Sequence, residues 1–254
     1  MPLGAQTASS DWQKEGGQGQ PKTIIYSTSA DGQTFKKVKQ VAYNPAGNVT
    51  EELIFTASTG DLETRWVYER DAQGNLLKKI GYNPKSEPQI QFEFKYEAGL
   101  MVEKIQSRLL EGKLSPVRTI KYTHTPEKQV AEEREYDKSS KLLAHNKYEY
   151  YPEGMLKKLT VVVGWVDFFY NEQKQLTSTK FYDDSKTFNA LKLFTYNDKG
   201  AQASLKEFQA SDLANPTNTE MDAYVYDAKG NWVEHKVVYL SQKFKITRRE
   251  IQTY

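Results

Sequence analysis

Apolar and polar residues alternate with a period of two along much of the chain. The clearest case is Ile90, Phe92, Phe94 and Tyr96, with Gln91, Glu93 and Lys95 between them. Successive side chains on a strand point to opposite faces, so this pattern predicts a strand with one apolar and one wet face. Apolar or aromatic pairs at i and i+2 repeat it at Trp66/Tyr68, Ile120/Tyr122, Tyr148/Tyr150, Phe194/Tyr196 and Tyr224/Tyr226. Alternation is imperfect near the start, where Phe35, Val41 and Tyr43 share a face with Lys37 and Lys39. Leu100 to Leu110 and Ala201 to Leu213 also contain helical spacings, but each follows a turn glycine in step with the strand pattern, and strands are expected there. Leu159 to Tyr170 is apolar on both faces. It is far too short to cross a bilayer as a helix and predicts a strand pair covered on both sides.

Turn residues punctuate these strands at regular intervals. Tyr226-Asp227-Ala228-Lys229-Gly230-Asn231-Trp232 is the clearest copy, and Asn44 to Asn48, Asp71 to Asn75 and Asn197 to Gly200 repeat its core. Glu97-Ala98-Gly99 and Pro152-Glu153-Gly154 are shorter relatives of it. An Asp or Asn followed three residues later by Gly suits a type I turn with a G1 bulge: the side chain holds the turn and Gly takes the left-handed position. Tyrosines mark the period at Tyr43, Tyr68, Tyr96, Tyr122, Tyr150, Tyr170, Tyr196, Tyr226 and Tyr254, a mean step of roughly 26 residues that accommodates two strands and two turns. The chain therefore predicts an all-β fold of tandem antiparallel β-hairpin repeats, about eight in number, forming one extended, curled or superhelical sheet. The repeat domain is expected over 23–254. Residues 1–22, rich in Gly, Gln and Ser, read as a flexible N-terminal segment, with Trp12 either an anchor on the sheet edge or an exposed indole.

Composition narrows the setting. Aromatic residues make up 13% of the chain and charged residues 27%, which suits half-exposed strands better than disorder. Interleaved Lys and Glu leave a net charge of only +2, so nucleic acid is not an expected partner. With no Cys and three widely spaced His, thiol chemistry, disulfides and a zinc site are not expected, and no cofactor is implied. Leu3-Gly4-Ala5-Gln6 looks like the tail of a removed signal peptide, which points to a secreted, periplasmic or cell-surface protein; an ordinary polar N-terminus is the alternative. A membrane barrel is not expected, because Gln252, Glu250 and Arg248 stand where a lipid-facing last strand needs apolar residues.

The Tyr-Asp-Ala-Lys-Gly-Asn-Trp stretch resembles the YD repeats of bacterial RHS-type proteins, and the resemblance runs from about Tyr26 to Tyr254. It implies hairpins joined into one long sheet that curls into a shell or superhelix, in an exported protein. The Gly-Arg variant of the repeat, the Asp-Pro-x-Gly boundary motif and a cargo domain after the last repeat are all missing, so no toxin portion is implied.

Chemistry is sparse. The doublets Asp183-Asp184 and Glu132-Glu133 place neighbours on opposite faces of a strand, which is not the arrangement of an acid/base pair. No nucleophile elbow or phosphate loop is present, and an enzyme is not expected; a carbohydrate-active protein with carboxylates from distant repeats is the alternative. A curved sheet rich in aromatics is suited to binding. Tyr148, Tyr150, Tyr151, Trp165 and Trp232 are the candidate platform for a glycan or a protein partner at the cell surface, and stacking within the sheet is their structural alternative. Lys157, Lys158, Lys243, Lys245, Arg248 and Arg249 are candidates for an acidic glycan or lipid head group, or else solvated strand positions.

Overall fold

The computed structural model describes residues 10–15 and 17–254, which form one short helix and 18 antiparallel strands. The helix α1 is Asp11–Lys14. The first nine strands are β1 (Pro21–Ser29), β2 (Lys36–Tyr43), β3 (Val49–Phe55), β4 (Leu62–Arg70), β5 (Leu76–Tyr82), β6 (Pro88–Glu97), β7 (Leu100–Leu110), β8 (Lys113–His124) and β9 (Val130–Asp137). The second nine are β10 (Leu142–Tyr150), β11 (Leu156–Val161), β12 (Gly164–Tyr170), β13 (Leu176–Asp183), β14 (Phe188–Tyr196), β15 (Gln202–Gln209), β16 (Asn218–Tyr226), β17 (Trp232–Tyr239) and β18 (Phe244–Thr253). The two stretches with helical spacing are thus strands, β7 and β15. The described strands make nine hairpins, one for each marker tyrosine, rather than about eight.

Each strand pairs with its sequence neighbours, and β1 pairs with both β2 and β18, with Ile24 opposite Val41 and Ile251. The sheet is therefore a closed up-and-down barrel, which corrects the expectation of an extended or superhelical sheet. An open array would leave two edges of unpaired N–H and C=O groups, and joining β1 to β18 removes both. Eighteen strands spaced ~4.8 Å apart and tilted ~40° enclose a wall roughly 35 Å across if its section is round.

The turns explain the repeat and its hidden members. At Asp71–Asn75 the Asp71 carboxylate accepts the backbone N–H of Gln73 and of Asn75, at 2.9 and 2.8 Å. Asn44, Asn83, Asn171 and Asn197 hold their turns through the same fourth-residue N–H, at 2.9–3.0 Å. The fourth turn position is left-handed throughout, but it is not always glycine: Ser86, Lys128, Ser140, Lys174 and Lys186 take it with φ between 61 and 69°. Ala98-Gly99 and Glu111-Gly112 instead have positive φ at both residues, as a two-residue type I′ turn requires.

The strongly exposed mid-strand residues Lys121, Arg134, Lys147, Leu193, Lys206, Met221 and Val225 fall on one face, the outside of the wall, whereas exposed Arg118, opposite Gln106, lies on the other. The other face lines the lumen. Leu159, Val166, Phe168 and Phe181 are lumenal, whereas Trp165 and Phe169 are external. The run Leu159 to Tyr170 is not covered on both sides as expected: it is a hairpin turning at Val162 and Val163, which are 68% and 73% exposed.

Packing is concentrated at the seam. Trp12, 1% exposed, packs with Ile24, Val41 and Tyr43, and Tyr26, Val49 and Ile251 flank this cluster. Ser10 caps α1 through a capping box with Gln13. Asp11 Oδ2 accepts from Arg70 at 2.6 Å and from the Val49 N–H at 2.8 Å. Trp12 donates its backbone N–H to the Gly47 carbonyl at 3.1 Å and its indole N–H to the Gln18 carbonyl at 3.2 Å. The Gln18 N–H donates to Asn231 at 2.7 Å. Trp12 is therefore an anchor, although on the lumenal face and not the sheet edge. Of the N-terminal segment 1–22, residues 1–9 and 16 lie outside the described residues, and Pro21 already opens β1.

Trp12→Ala empties the centre of the seam cluster and is expected to cost about 3–5 kcal/mol, measured as a lower urea midpoint. Asp71, Asp137 and Asp183 sit below the usual aspartate range because Asn75, Ser139 and Ser185 donate to them, with backbone N–H groups of their turns adding to the effect. Such groups stabilise the fold above their unfolded value of about 3.9 and lose that contribution as pH falls through the lowered folded value. Replacing all three by Asn, which holds the equivalent turns elsewhere, should preserve the melting temperature at neutral pH and flatten its decline below about pH 4.

Candidate functional site

The structure brings three of the five candidate aromatics together. Tyr148, Tyr150 and Tyr151 line a cleft of about 750 Å³ between the β8–β9 and β10–β11 turns, with Glu127, Gln129, Glu149 and Glu153 around them. Gln129 Nε2 donates to the Gly154 carbonyl at 2.6 Å and ties the two turns together. The Tyr150 hydroxyl donates to the Val130 carbonyl at 2.8 Å and that of Tyr151 to Phe168 at 3.0 Å. These two rings are thus clamped, and their hydroxyls are already engaged. Tyr148 has its phenol pushed up, by burial first and then by the nearby Glu133. A cleft with fixed ring walls and a carboxylate rim suits a polar, hydroxylated ligand.

The other two candidates lie elsewhere and have their ring faces occupied. Trp165 stacks on Tyr182 from β13, with centroids 4.9 Å apart and planes 11° apart. Lys158 from β11, on the opposite side of β12, sits 4.8 Å from the same ring. Trp232 is lumenal; the Arg249 guanidinium lies 3.6 Å from its ring and donates to its carbonyl at 2.8 Å. Tyr26 and Tyr224 meet Trp232 edge-on, each at 6.4 Å. The five residues therefore do not form one platform.

Nor do the basic residues form one patch. Arg248 is external, bonded to Glu234 at 2.7 Å and stacked 3.7 Å from Phe35, while Arg249 is 7% exposed beneath the N-terminal segment. Glu132 and Glu133 do point apart: Glu132 bonds Arg134 on the outer face, and Glu133 accepts from Asn146 on the inner one.

Two further lumenal polar clusters are not marked by any motif in the sequence. His235 Nε2 and Asp222 Oδ1 are 2.7 Å apart, Gln202 donates to Asp222 Oδ2 at 3.1 Å, and Tyr224 stacks on the imidazole with centroids 4.4 Å apart. Burial, then Asp222, pushes the Tyr224 phenol up to about 12. Near the seam, Lys39 Nζ lies 2.7 Å from Glu52, whose other oxygen accepts from Tyr68 at 2.9 Å. Burial alone would raise the Glu52 carboxyl, but the bonds from Lys39 and Tyr68 hold it below its ordinary value. Their common face is hard to read from sequence because most pairings carry a bulge beside the turn, and the alternation restarts in each strand. Among the described residues, no group of three or more His, Cys, Asp or Glu is placed to hold a metal ion.

No protein-family model and no curated protein sequence matches the chain. Among solved structures, a TcdB2-TccC3-Cdc42 crystal structure is similar over 78% of this chain and 14% of its own, with 14% identity and a TM-score of 0.36. A porin-like protein from Bacteroides uniformis is similar over 91% of this chain and 96% of its own, at 10% identity and a TM-score of 0.47. A Bacteroides fragilis protein described as of unknown function covers 48% of this chain and 92% of its own, at 16% identity and a TM-score of 0.25. The chain spans about a seventh of the first of these. Likenesses at this level leave function to be argued from this chain's own residues.

Proposed function

We propose that the protein is a non-enzymatic, water-soluble exported barrel that acts as a scaffold or binding module at the bacterial cell envelope. The observation that carries this reading is that the wall is charged at mid-strand on both faces. Lys95–Glu103, Glu132–Arg134 and Glu234–Arg248 pair outside, and Lys39–Glu52, Lys192–Glu207 and Asp222–His235 pair inside. A lipid-facing barrel needs a continuous apolar band on its outer face, ~25 Å tall, in which mid-plane charges cost ~2–4 kcal/mol each. Asp222 orients His235 as a carboxylate orients a base, but among the described residues no hydroxyl is bonded to the imidazole, which stacks on Tyr224, so the pair lacks a nucleophile. Export is supported by the resemblance of the Tyr226–Trp232 stretch to the YD repeats of exported bacterial proteins. Mixed with vesicles of bacterial polar lipids and centrifuged through a density gradient, the protein is expected to stay in the lipid-free fractions. Flotation with the vesicles that resists a high-salt wash would overturn the reading.

A second reading, binding of neutral saccharides, is favoured by the cleft of Tyr148, Tyr150 and Tyr151. Because the hydroxyls of Tyr150 and Tyr151 hold the fold, Tyr148→Ala is the informative variant. It should weaken any neutral oligosaccharide found by glycan array by up to about tenfold without moving the melting temperature. Binding that is unchanged in this variant would remove the cleft from consideration.

A further inference from the structure

Lys39 on β2, Lys79 on β5 and Lys104 on β7 face the lumen within one part of the wall, and only one of the three is matched by a carboxylate. Lys39 on β2 bonds Glu52, and that carboxylate is fully used by Lys39 and Tyr68. Among the described residues, Lys79 on β5 and Lys104 on β7 have no carboxylate at ion-pair distance, and both rest on rings. Lys79 Nζ is 4.3 Å from the Trp66 centroid and 4.9 Å from that of Tyr68, and Lys104 Nζ is 5.0 Å from Phe92. Burial lowers the Lys79 ammonium; Glu52 opposes this, and the charges of Lys39 and Lys104 add to it. A half-buried positive group beside two others gains from an anion more than a solvated one does.

The rings beside these lysines are set by a glycine. Trp66 on β4 and Phe92 on β6 meet across β5, with centroids 6.2 Å apart and planes 29° apart. A Cβ at Gly81 on β5 would stand 2.9 Å from both the indole and Ile90, so only glycine lets the indole lie across the strand. Gln106 stands opposite Phe92 on β7 and offers an amide within the same sector. The ring faces are taken up by each other and by the two ammonium groups, so the rings position the lysines; two ammonium groups without a carboxylate partner and an adjacent amide match the parts of an acidic sugar, a carboxylate and hydroxyls.

We propose that Lys79 and Lys104, held in place by Trp66 and Phe92, form with Gln106 a lumenal site for an acidic saccharide, the carboxylate between the ammonium groups and a sugar hydroxyl on the Gln106 amide. The proposal shares the saccharide chemistry of the second reading above but none of its residues, so Tyr148→Ala separates the two. The test titrates the full chain with tetragalacturonate and, in parallel, with its neutral methyl ester, followed by calorimetry and tryptophan fluorescence. The acid is expected to bind with an affinity that falls as salt is raised, and the ester at least about tenfold more weakly. Lys79→Gln combined with Lys104→Gln should weaken acid binding by a similar factor, while Tyr148→Ala leaves it unchanged. Equal binding of acid and ester, an unaffected lysine double variant, loss of acid binding in Tyr148→Ala, or no binding at all would overturn the proposal. The acid–ester comparison and the salt dependence decide the matter on the unmodified protein if the double variant does not fold.

Discussion

The structure depends on the pairing of β1 with β18. A barrel of this width cannot fill its interior with side chains, and among the described residues the buried large apolar side chains are correspondingly few: Trp12, Ile24, Val41, Tyr43, Phe208 and Ile246. Most of the wall is therefore held by backbone ladders and cross-strand neighbours rather than by a core. In such a structure, an unpaired strand is a row of unsatisfied backbone groups. The chain concentrates its hydrophobic packing and its N-terminal hydrogen bonds at the place where its two ends meet. Tyr254, the last marker tyrosine, donates to the Tyr43 carbonyl at 2.5 Å and straps β18 over β1 to β2.

The marker tyrosines do a similar job elsewhere around one rim. Tyr96, Tyr150 and Tyr196 each donate to the carbonyl 20 residues earlier, at Leu76, Val130 and Leu176, which open β5, β9 and β13. The first carbonyl of a strand, next to its turn, lies where the ladder is weakest, and a hydroxyl placed there satisfies it. The aromatic period is thus a mechanical one in the first place. This is why a functional reading cannot be drawn from tyrosine content alone, and why Tyr148, which makes no such tie, is the most informative ring of its cleft.

The lumen is not uniform. The N-terminal segment covers the seam. β4 to β7 carry rings and unmatched lysines, β11 to β14 carry Leu159, Val166, Phe168 and Phe181, and β16 and β17 carry Asp222, Tyr224 and His235. A wall in which few residues depend on tight packing costs little to vary at any one strand. Distinct chemical sectors can therefore coexist in one sheet.

The local pattern of residues determined the strands, most of the turns and their antiparallel order, because period-two alternation and turn chemistry act over a few residues. Turns with Ser86, Lys128, Ser140, Lys174 or Lys186 at the left-handed position escaped notice, since nothing in those side chains announces it. Closure was decided only by the tertiary structure: the register of β1 against β18 joins residues some 220 positions apart, and no local signal encodes it. The fate of the candidate site followed from the same cause. Tyr148, Tyr150 and Tyr151 stay together because they are neighbours in the chain. Trp165 and Trp232 were taken out of the site by Tyr182, Lys158 and Arg249, partners that bulged registers and barrel closure deliver. Lys79 and Lys104, ordinary lysines in sequence, became a site candidate because Gly81 brings Trp66 and Phe92 together beside them.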